Sequence, residues 1–409
     1  MVEKGPLLID QSILEFEEYN FEALEKALEN EPEDIISELK DSGLKGRGGA
    51  GFPTGVKWEI AADQESSQKH MICNAAEGEV GTFKDRYLLE NNPLKVLEGF
   101  IIAAYTVGAD KGYIYIRGEY TKPINILEEK LEQLREHNLL GKNINGSGFD
   151  LEVKMIREAE AYVCGEETSL INSLEGKRGK SRIKPPYPVV EGLFDEPTVV
   201  NNVETLATAA EVIKMGADKY SSLGAGESKG TKLISISGDI NEPGVYEVEF
   251  GEVTIREIIE DYAGGVTNNK EVKFVVPGGI STSILDAKEL DIPYTYESLA
   301  EKGTGIGSGA MIVVAEGRDL VDLMLNAAHF FKEETCGTCF PCREGNRQIY
   351  HLLEERNQNG GFTKRDFQLV KDIGETINLA ARCGLGKASM NFIGSVVDNY
   401  GDELVRGNK

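Results

Sequence analysis

Three cysteines within seven residues, Cys336, Cys339 and Cys342, and a fourth at Cys383 in the segment CGLGKAS, constrain this chain more than any other feature. A Cys-x-x-Cys-x-x-Cys run can wrap three thiolates around one corner of a cubane iron–sulfur cluster, and the fourth ligand can come from any distance. Soft sulfur donors suit such clusters. Gly337 and Pro341 permit the tight turns that wrapping needs. Zinc held by four cysteines is the competing reading, although structural zinc sites more often use two separate Cys-x-x-Cys knuckles. Free thiols are the third. A disulfide framework is not expected in a chain of 409 residues with six cysteines. The other two, Cys73 and Cys164, stand singly in apolar, strand-like surroundings and read as buried small hydrophobes.

The cysteine run lies in a helical C-terminal region. Leu320 to Lys332, Arg343 to Arg356, Lys364 to Ala381 and Asn391 to Val405 carry apolar residues at three- and four-residue steps, which predicts a four-helix bundle. Thr363 and Asp366 give one of these helices a capping-box-like start. Before it, Leu233 to Ser237, Val245 to Phe250, Lys273 to Val276 and Ala310 to Val314 read as strands. A helix from Ile255 to Tyr262 opens on a Thr254/Glu257 capping box. That order suggests a small β-grasp-like domain. Earlier still, buried-strand signals at Met71 to Asn74, Tyr113 to Arg117 and Leu151 to Ile156 alternate with helical stretches at Asn92 to Val107, Pro123 to His137 and Glu166 to Leu174. Such alternation reads as an α/β layer fold. Ahead of it, Phe21 to Leu39 is helix-like and is expected to break at Pro32.

Between that arm and the α/β region lies GRGGAGFPTG, Gly46 to Gly55. Gly46-x-Gly48-x-x-Gly51 matches the dinucleotide fingerprint in letters, but the fingerprint requires a preceding strand, and Ile35 to Lys40 reads as helix. The ordinary Rossmann assignment therefore fails on context. A glycine-dense loop with Lys57 just beyond still describes backbone that approaches a flat or phosphate-bearing ligand closely; a surface turn is the plainer reading.

Taken together, GRGGAGFPTGVKW, CNAAEGEVGTFKDR, AYVCGEET, NSLEGKRG, KPPYP, NNVET and CGTCFPCREG, in this order, resemble the NADH-binding, FMN-containing subunit shared by respiratory complex I, NAD-reducing and electron-bifurcating hydrogenases, and NAD-dependent formate dehydrogenases. The resemblance implies an N-terminal arm and glycine loop (1–55), a Rossmann-like α/β domain for FMN and NADH (56–222), a ubiquitin-like β-grasp domain of the SLBB kind (223–317), and a four-helix bundle holding a 4Fe–4S cluster (318–409).

Residue by residue, it places Gly46, Arg47, Gly48, Gly49, Gly51, Lys57, Asn74, Glu77, Tyr162, Gly165, Glu166, Glu167, Asn201 and Asn202 around FMN. Phe52, Glu79, Glu167, Lys184 and Tyr187 would face the nicotinamide nucleotide, with Glu79 and Glu167 supporting hydride transfer. Cys336, Cys339, Cys342 and Cys383 would hold the cluster. The chain departs from the family pattern at Ala76, where Asp is common, at Val80, at Ile60 and at Tyr187, where Phe is usual. Loss of an acid at Ala76 puts one polar flavin contact in doubt, whereas Tyr187 can still stack.

The implied activity passes a hydride from NADH to FMN and single electrons through the cluster to a partner. Cys73 and Cys164 have no metal-ligand spacing, so a second cluster must lie elsewhere. The resemblance supplies a separate thioredoxin-like 2Fe–2S subunit, beside a larger subunit of hydrogenase, formate dehydrogenase or complex I. Acidic Glu79, Glu166 and Glu167 predict a preference for NADH over NADPH. The flavin and cluster sites, assigned to different domains, are expected to load independently. The alternatives are an Rnf-type electron carrier, whose usual paired cysteine runs are missing, and a zinc-containing β-grasp binding module.

The net charge of −25 argues against nucleic acid and against docking on anionic lipid. No apolar run approaches the ~18 residues of a membrane span. Met1 to Gln11 lacks the basic-then-apolar pattern of a leader, so a cytoplasmic location is expected.

Overall fold

The structure, a computed structural model, describes residues 7–9, 15–158, 161–359 and 361–405. The reading of Met1 to Gln11 therefore falls mostly outside the described residues. Among them, no helix is long and apolar enough to cross a membrane.

The arm forms α1 (Glu22–Leu28) and α2 (Pro32–Ser42), followed by α3 (Thr54–Ala62). Pro32 begins α2 at its first position, where its missing N–H costs nothing. The first sheet contains β1 (His70–Ala75), β2 (Lys111–Arg117), β3 (Glu152–Glu158) and β4 (Thr198–Asn202). All four strands are parallel, in the order β3-β2-β1-β4. The chain steps outward from β1 to β3 and then returns to the other side of β1. That reversal creates a crevice between the carboxyl ends of β1 and β4, where open α/β sheets bind ligands. Helices α4 (Lys84–Asn91), α5 (Pro93–Val107), α6 (Thr121–Glu136), α7 (Glu167–Leu174) and α8 (Val203–Met215) complete the layer. α5 and α8 lie so close that a Cβ on Gly99 would sit 1.9 Å from the Leu206 carbonyl oxygen.

Side chains alternate across this sheet. Met71, Cys73, Ile114, Ile116 and Val199 join a core with the arm helices, α5 and α8. Ile72, Tyr115 and Val200 point the other way, into a core shared with the C-terminal helices. A parallel sheet needs both faces covered, and here a distant part of the chain covers the second.

A mixed five-stranded sheet follows, comprising β5 (Thr231–Gly238), β6 (Gly244–Glu249), β7 (Val272–Val276), β8 (Leu285–Asp286) and β9 (Ala310–Ala315), in the order β8-β7-β9-β5-β6. Only β5 and β9 pair in parallel. The Thr254/Glu257 capping box forms, but the helix it opens is regular only over Ile255–Glu257 and continues as a π-helical turn, Ile258–Tyr262. The C-terminal region contains α9 (Leu320–Glu334), α10 (Phe340–Asn359), α11 (Lys364–Ala380), α12 (Gly384–Ala388) and α13 (Asn391–Leu404). The four long helices match the periodicity, and the Thr363/Asp366 box caps α11. The five-residue α12, directly after Cys383, has no counterpart among the expected elements.

Candidate functional site

At the switch point the structure encloses a cavity of about 650 Å³. Gly48, Gly49 and Ala50 form one side, Asn74 and Asn202 sit at its β1 and β4 ends, and Gly165 and Glu166 border it before α7. Asn74 and Asn202 are register partners across the β1/β4 pair. The loop between β1 and α4 contributes Ala76, Glu77, Gly78, Glu79 and Thr82, then Lys84 and Asp85. The glycines belong to close approach: a Cβ on Gly48 would lie 3.0 Å from the Asn202 side chain, and one on Gly78 would lie 3.0 Å from the Tyr162 ring.

Electrostatics hold this floor rigid. Lys84 Nζ, fully buried, meets Asp85 at 2.6 Å and Glu204 at 2.9 Å, and donates to Asn202 Oδ1 at 3.2 Å. Lys232 Nζ reaches the same Glu204 oxygen at 2.6 Å. Burial alone would neutralise Lys84, but the two carboxylates keep its pKa above the lysine range. Glu77 accepts the α4 N–H groups of Asp85 (2.8 Å) and Arg86 (3.0 Å) and the Tyr120 hydroxyl (3.0 Å). Burial, with Asp85 adjacent, nevertheless raises its pKa to about 7. Glu79 accepts from the Tyr162 hydroxyl and from Ser281 N at 3.0 Å, and burial pushes its carboxyl above the usual range.

A second group lies at Lys57, Glu166, Glu167 and Lys184. Lys57 reaches Glu167 at 3.2 Å, while Lys184 reaches Glu167 at 2.7 Å and Glu166 at 2.9 Å. Although burial opposes ionisation, the two lysines hold Glu167 below the carboxylate range. Glu166 also caps α7 through Thr168 N (3.1 Å) and Ser169 N (3.0 Å). Each acid here has a cationic partner, so the expected acidic surface is locally neutralised. Phe52 and Tyr187 stand 48% and 55% exposed.

The side chains of two residues expected around FMN point elsewhere. Arg47 is 1% exposed; its guanidinium donates to the Tyr220 hydroxyl (2.9 Å) and the Lys229 carbonyl (2.8 Å) and lies over the Phe250 ring. It ties the glycine loop to the second sheet. Asn201 accepts the Trp58 indole N–H at 2.8 Å inside the core. Gly46 and Gly51 shape the loop, Gly46 N donating to Phe52 O at 2.8 Å and Gly51 packing against Tyr296.

One whole wall of the cavity comes from residues with no expected role. Ser281, Thr282 and Ser283, with Gly303, Thr304, Gly305, Gly307 and Ser308, bring two loops of the second sheet to the cavity, and Gly384, Leu385, Ala388 and Asn391 bring the C-terminal region. The glycine- and hydroxyl-rich runs GGISTS and GTGIGSG were the available signal. Thr82 and Ser308 join the loops through hydroxyls 2.5 Å apart.

Next to this cavity, Cys336, Cys339, Cys342 and Cys383 ring a smaller one with Thr335, Ser181, Ala381 and Gly386. A Cβ on Gly386 would lie 3.2 Å from Cys342 Sγ. Burial raises the Cys342 and Cys383 thiols. Among the described residues, no three His, Cys, Asp or Glu side chains converge on one ion-sized point. Four thiols lining one small site supply the soft sulfur donors that an iron–sulfur cluster requires. Cys73 and Cys164 are buried and unpaired with one another.

Residues 39–211 match the family model described as the Nuo51 FMN-binding domain, 232–301 the SLBB domain, and 322–407 the NADH-ubiquinone oxidoreductase-F iron-sulfur binding region. The chain is 46% identical to an NADH-quinone oxidoreductase subunit of Aquifex aeolicus, over 94% of this chain and 88% of that one. It is 44% identical to the NADP-reducing hydrogenase subunit HndC of Solidesulfovibrio fructosivorans, over 94% and 78%. A crystal structure of an NAD+-reducing [NiFe]-hydrogenase in the H2-reduced state superposes with a TM-score of 0.86 at 34% identity, over 96% of this chain; the match spans 66% of that chain. An FMN-binding domain and a 4Fe–4S-binding region are thus both present, and the chain belongs to the family of Nuo51-type NADH-quinone oxidoreductase subunits and their hydrogenase counterparts.

Proposed function

We propose that this chain is the NADH-oxidising diaphorase subunit of a multisubunit redox complex, an NADH:acceptor oxidoreductase with FMN in the large cavity and a 4Fe–4S cluster on Cys336, Cys339, Cys342 and Cys383. The observation that carries the reading is the adjacency of the two cavities, one polar and glycine-walled, the other ringed by thiols. Bound flavin supplies the conversion of a two-electron hydride donor into single electrons that a cluster can accept.

The chain's own residues do the rest. Gly48 and Gly49 bring backbone close to a flat ligand. Asn74, Glu166 and Asn202 offer polar contacts to it, with Lys84 providing fixed positive charge. Glu79, clamped by Tyr162 and Ser281, faces the nicotinamide end. Lys57 and Lys184 hold Glu167 ionised, and the exposed rings of Phe52 and Tyr187 suit the nucleotide's rings. No side-chain nucleophile is needed.

We assign the five-stranded sheet, with its parallel β5/β9 pair, as the ubiquitin-like β-grasp domain, and the parallel sheet as the Rossmann-like domain. The partner is a thioredoxin-like 2Fe–2S subunit beside a larger hydrogenase, formate dehydrogenase or complex I subunit. Cys73 and Cys164 lie buried in different cores and offer no ligand set for a second cluster, which supports a separate 2Fe–2S partner. Anaerobically purified protein is expected to contain one FMN and the four irons of a 4Fe–4S centre, with flavin bands and a broad iron–sulfur shoulder. A colourless protein containing zinc would sink the reading. Co-expression with neighbouring genes should recover the 2Fe–2S subunit; a lone chain fully active with its natural acceptor would remove it.

A further inference from the structure

The sequence assigns the flavin and cluster sites to different domains, which predicts that they load independently. The geometry points to the opposite. The two cavities have two residues in common, Val163 and Leu385, which line both of them. Val163 comes from the turn Tyr162–Gly165 of the α/β region, Leu385 from α12. Both are almost fully buried, at 5% and 7% exposure.

α12 begins directly at Cys383, which occupies its N-cap position. Gly384, Leu385 and Ala388 border the large cavity, while Cys383, Leu385 and Gly386 border the thiol-lined one. A helix of five residues has almost no stability of its own. Its place must come from its neighbours: Asn378 of α11, which donates to the Lys387 carbonyl at 2.9 Å, the contacts at its ends, and its one large apolar side chain. Downstream, Asn391 borders the large cavity and donates to the Ser281 carbonyl at 2.8 Å. Upstream of the cysteine run, Glu334 accepts the Tyr162 N–H at 2.9 Å, anchoring the residue beside Val163. Cluster ligation through Cys383 and closure of the flavin cavity therefore act on the same short segment.

We propose that Leu385, which shares a buried core with Val163, is the positioning residue that couples the two sites, so that an assembled cluster raises the affinity for FMN and bound FMN protects the cluster. This rests on the flavin and cluster assignments above. Coupling of this kind is reciprocal. A chain stripped of iron keeps every polar group of Asn74, Glu166 and Asn202 but loses the fixed position of α12, and with it one wall of the flavin cavity.

The test titrates FMN, followed by quenching of its fluorescence, into the full chain with its cluster intact and after anaerobic chelation of iron. We expect affinity to fall by about tenfold on stripping, within the range usual for coupled sites. In the reciprocal arm, saturating FMN should slow iron loss to the chelator. Leu385→Ala should shrink the ratio of the two affinities, whatever it does to the iron-free affinity; Leu385→Met should restore the ratio. Val163→Ala, which acts from the other domain, should shrink it independently if Leu385→Ala folds poorly. Equal affinity with and without the cluster overturns the proposal, as does a ratio indifferent to both alanine variants. Protein that binds neither FMN nor iron would overturn the functional reading itself, a distinguishable outcome.

Discussion

The thiol-lined cavity and the flavin cavity share a wall, yet they are built in opposite ways. The first draws three of its four sulfurs from seven consecutive residues, and those residues would be recognised in any sequence. The second gathers loops from the parallel sheet, the mixed sheet and the C-terminal helices, and is fixed by a buried ion chain from Asp85 through Lys84 and Glu204 to Lys232. Ligand chemistry specifies a cluster site locally. A cavity at a topological switch point is specified by the path of the whole chain.

That contrast predicts how each region fails. The largest effect should follow Cys342→Ala, which removes a proposed ligand that neighbouring polar groups cannot replace. The reduced-state electron paramagnetic resonance signal of the 4Fe–4S centre should vanish or convert; an unchanged signal would remove Cys342 from the ligand set. Next comes Glu204→Ala on the flavin side. It leaves Lys84 and Lys232 in the same buried space without their shared carboxylate, a change that costs roughly 3–5 kcal/mol. Denaturant unfolding should show that loss, and a stability within error of the parent chain would break the claim that the ion chain holds the floor.

A smaller effect concerns nucleotide choice. Sequence alone suggests that acidic residues repel a 2′-phosphate, but Glu166 and Glu167 are matched by Lys57 and Lys184. Glu167→Gln should therefore release cationic charge and move kcat/KM toward NADPH, by about tenfold for each 1.4 kcal/mol gained. An unchanged NADH-to-NADPH ratio would place the 2′-hydroxyl elsewhere.

The smallest effect is a pH dependence at Glu77. Its folded pKa, about 7, exceeds the ordinary value of 4.5. Between those values the folded state holds more protons than the unfolded one, so stability from this group is full below about 4.5 and is lost as pH rises through about 7. Glu77→Gln should flatten the fall in Tm across that window. An identical slope in both proteins would show that Glu77 is ionised throughout.

Much of the fold was legible from sequence. Alternating and helical periodicities located β1, β2, β3, α5, α6 and α7, and capping boxes marked two helix starts, because those signals are local. β4 and α8 went unrecognised, since a five-residue strand running directly into a helix offers little periodicity. Among site residues, glycines and cysteines could be read because their backbone freedom or ligand chemistry is intrinsic. Arg47 and Asn201 sit inside the right motifs, but the partners that turn their side chains away are Tyr220, Phe250 and Trp58, each packed by tertiary structure. Lys84 and Asp85 lie in a family motif without an assigned role. Leu385 carried no signal at all, being one leucine beside a cysteine until the fold set it between two cavities.

A single chain that joins a nucleotide-reducible flavin to a cluster should pass electrons between them unaided. The most direct measurement is an anaerobic NADH titration of the isolated, cofactor-loaded chain, following flavin absorbance and the cluster's paramagnetic signal together. The flavin bands should bleach and the 4Fe–4S signal should rise in the same titration, with no partner subunit present. Bleaching of the flavin while the cluster stays oxidised, under conditions where dithionite reduces it, would show that the two centres are not connected within this chain.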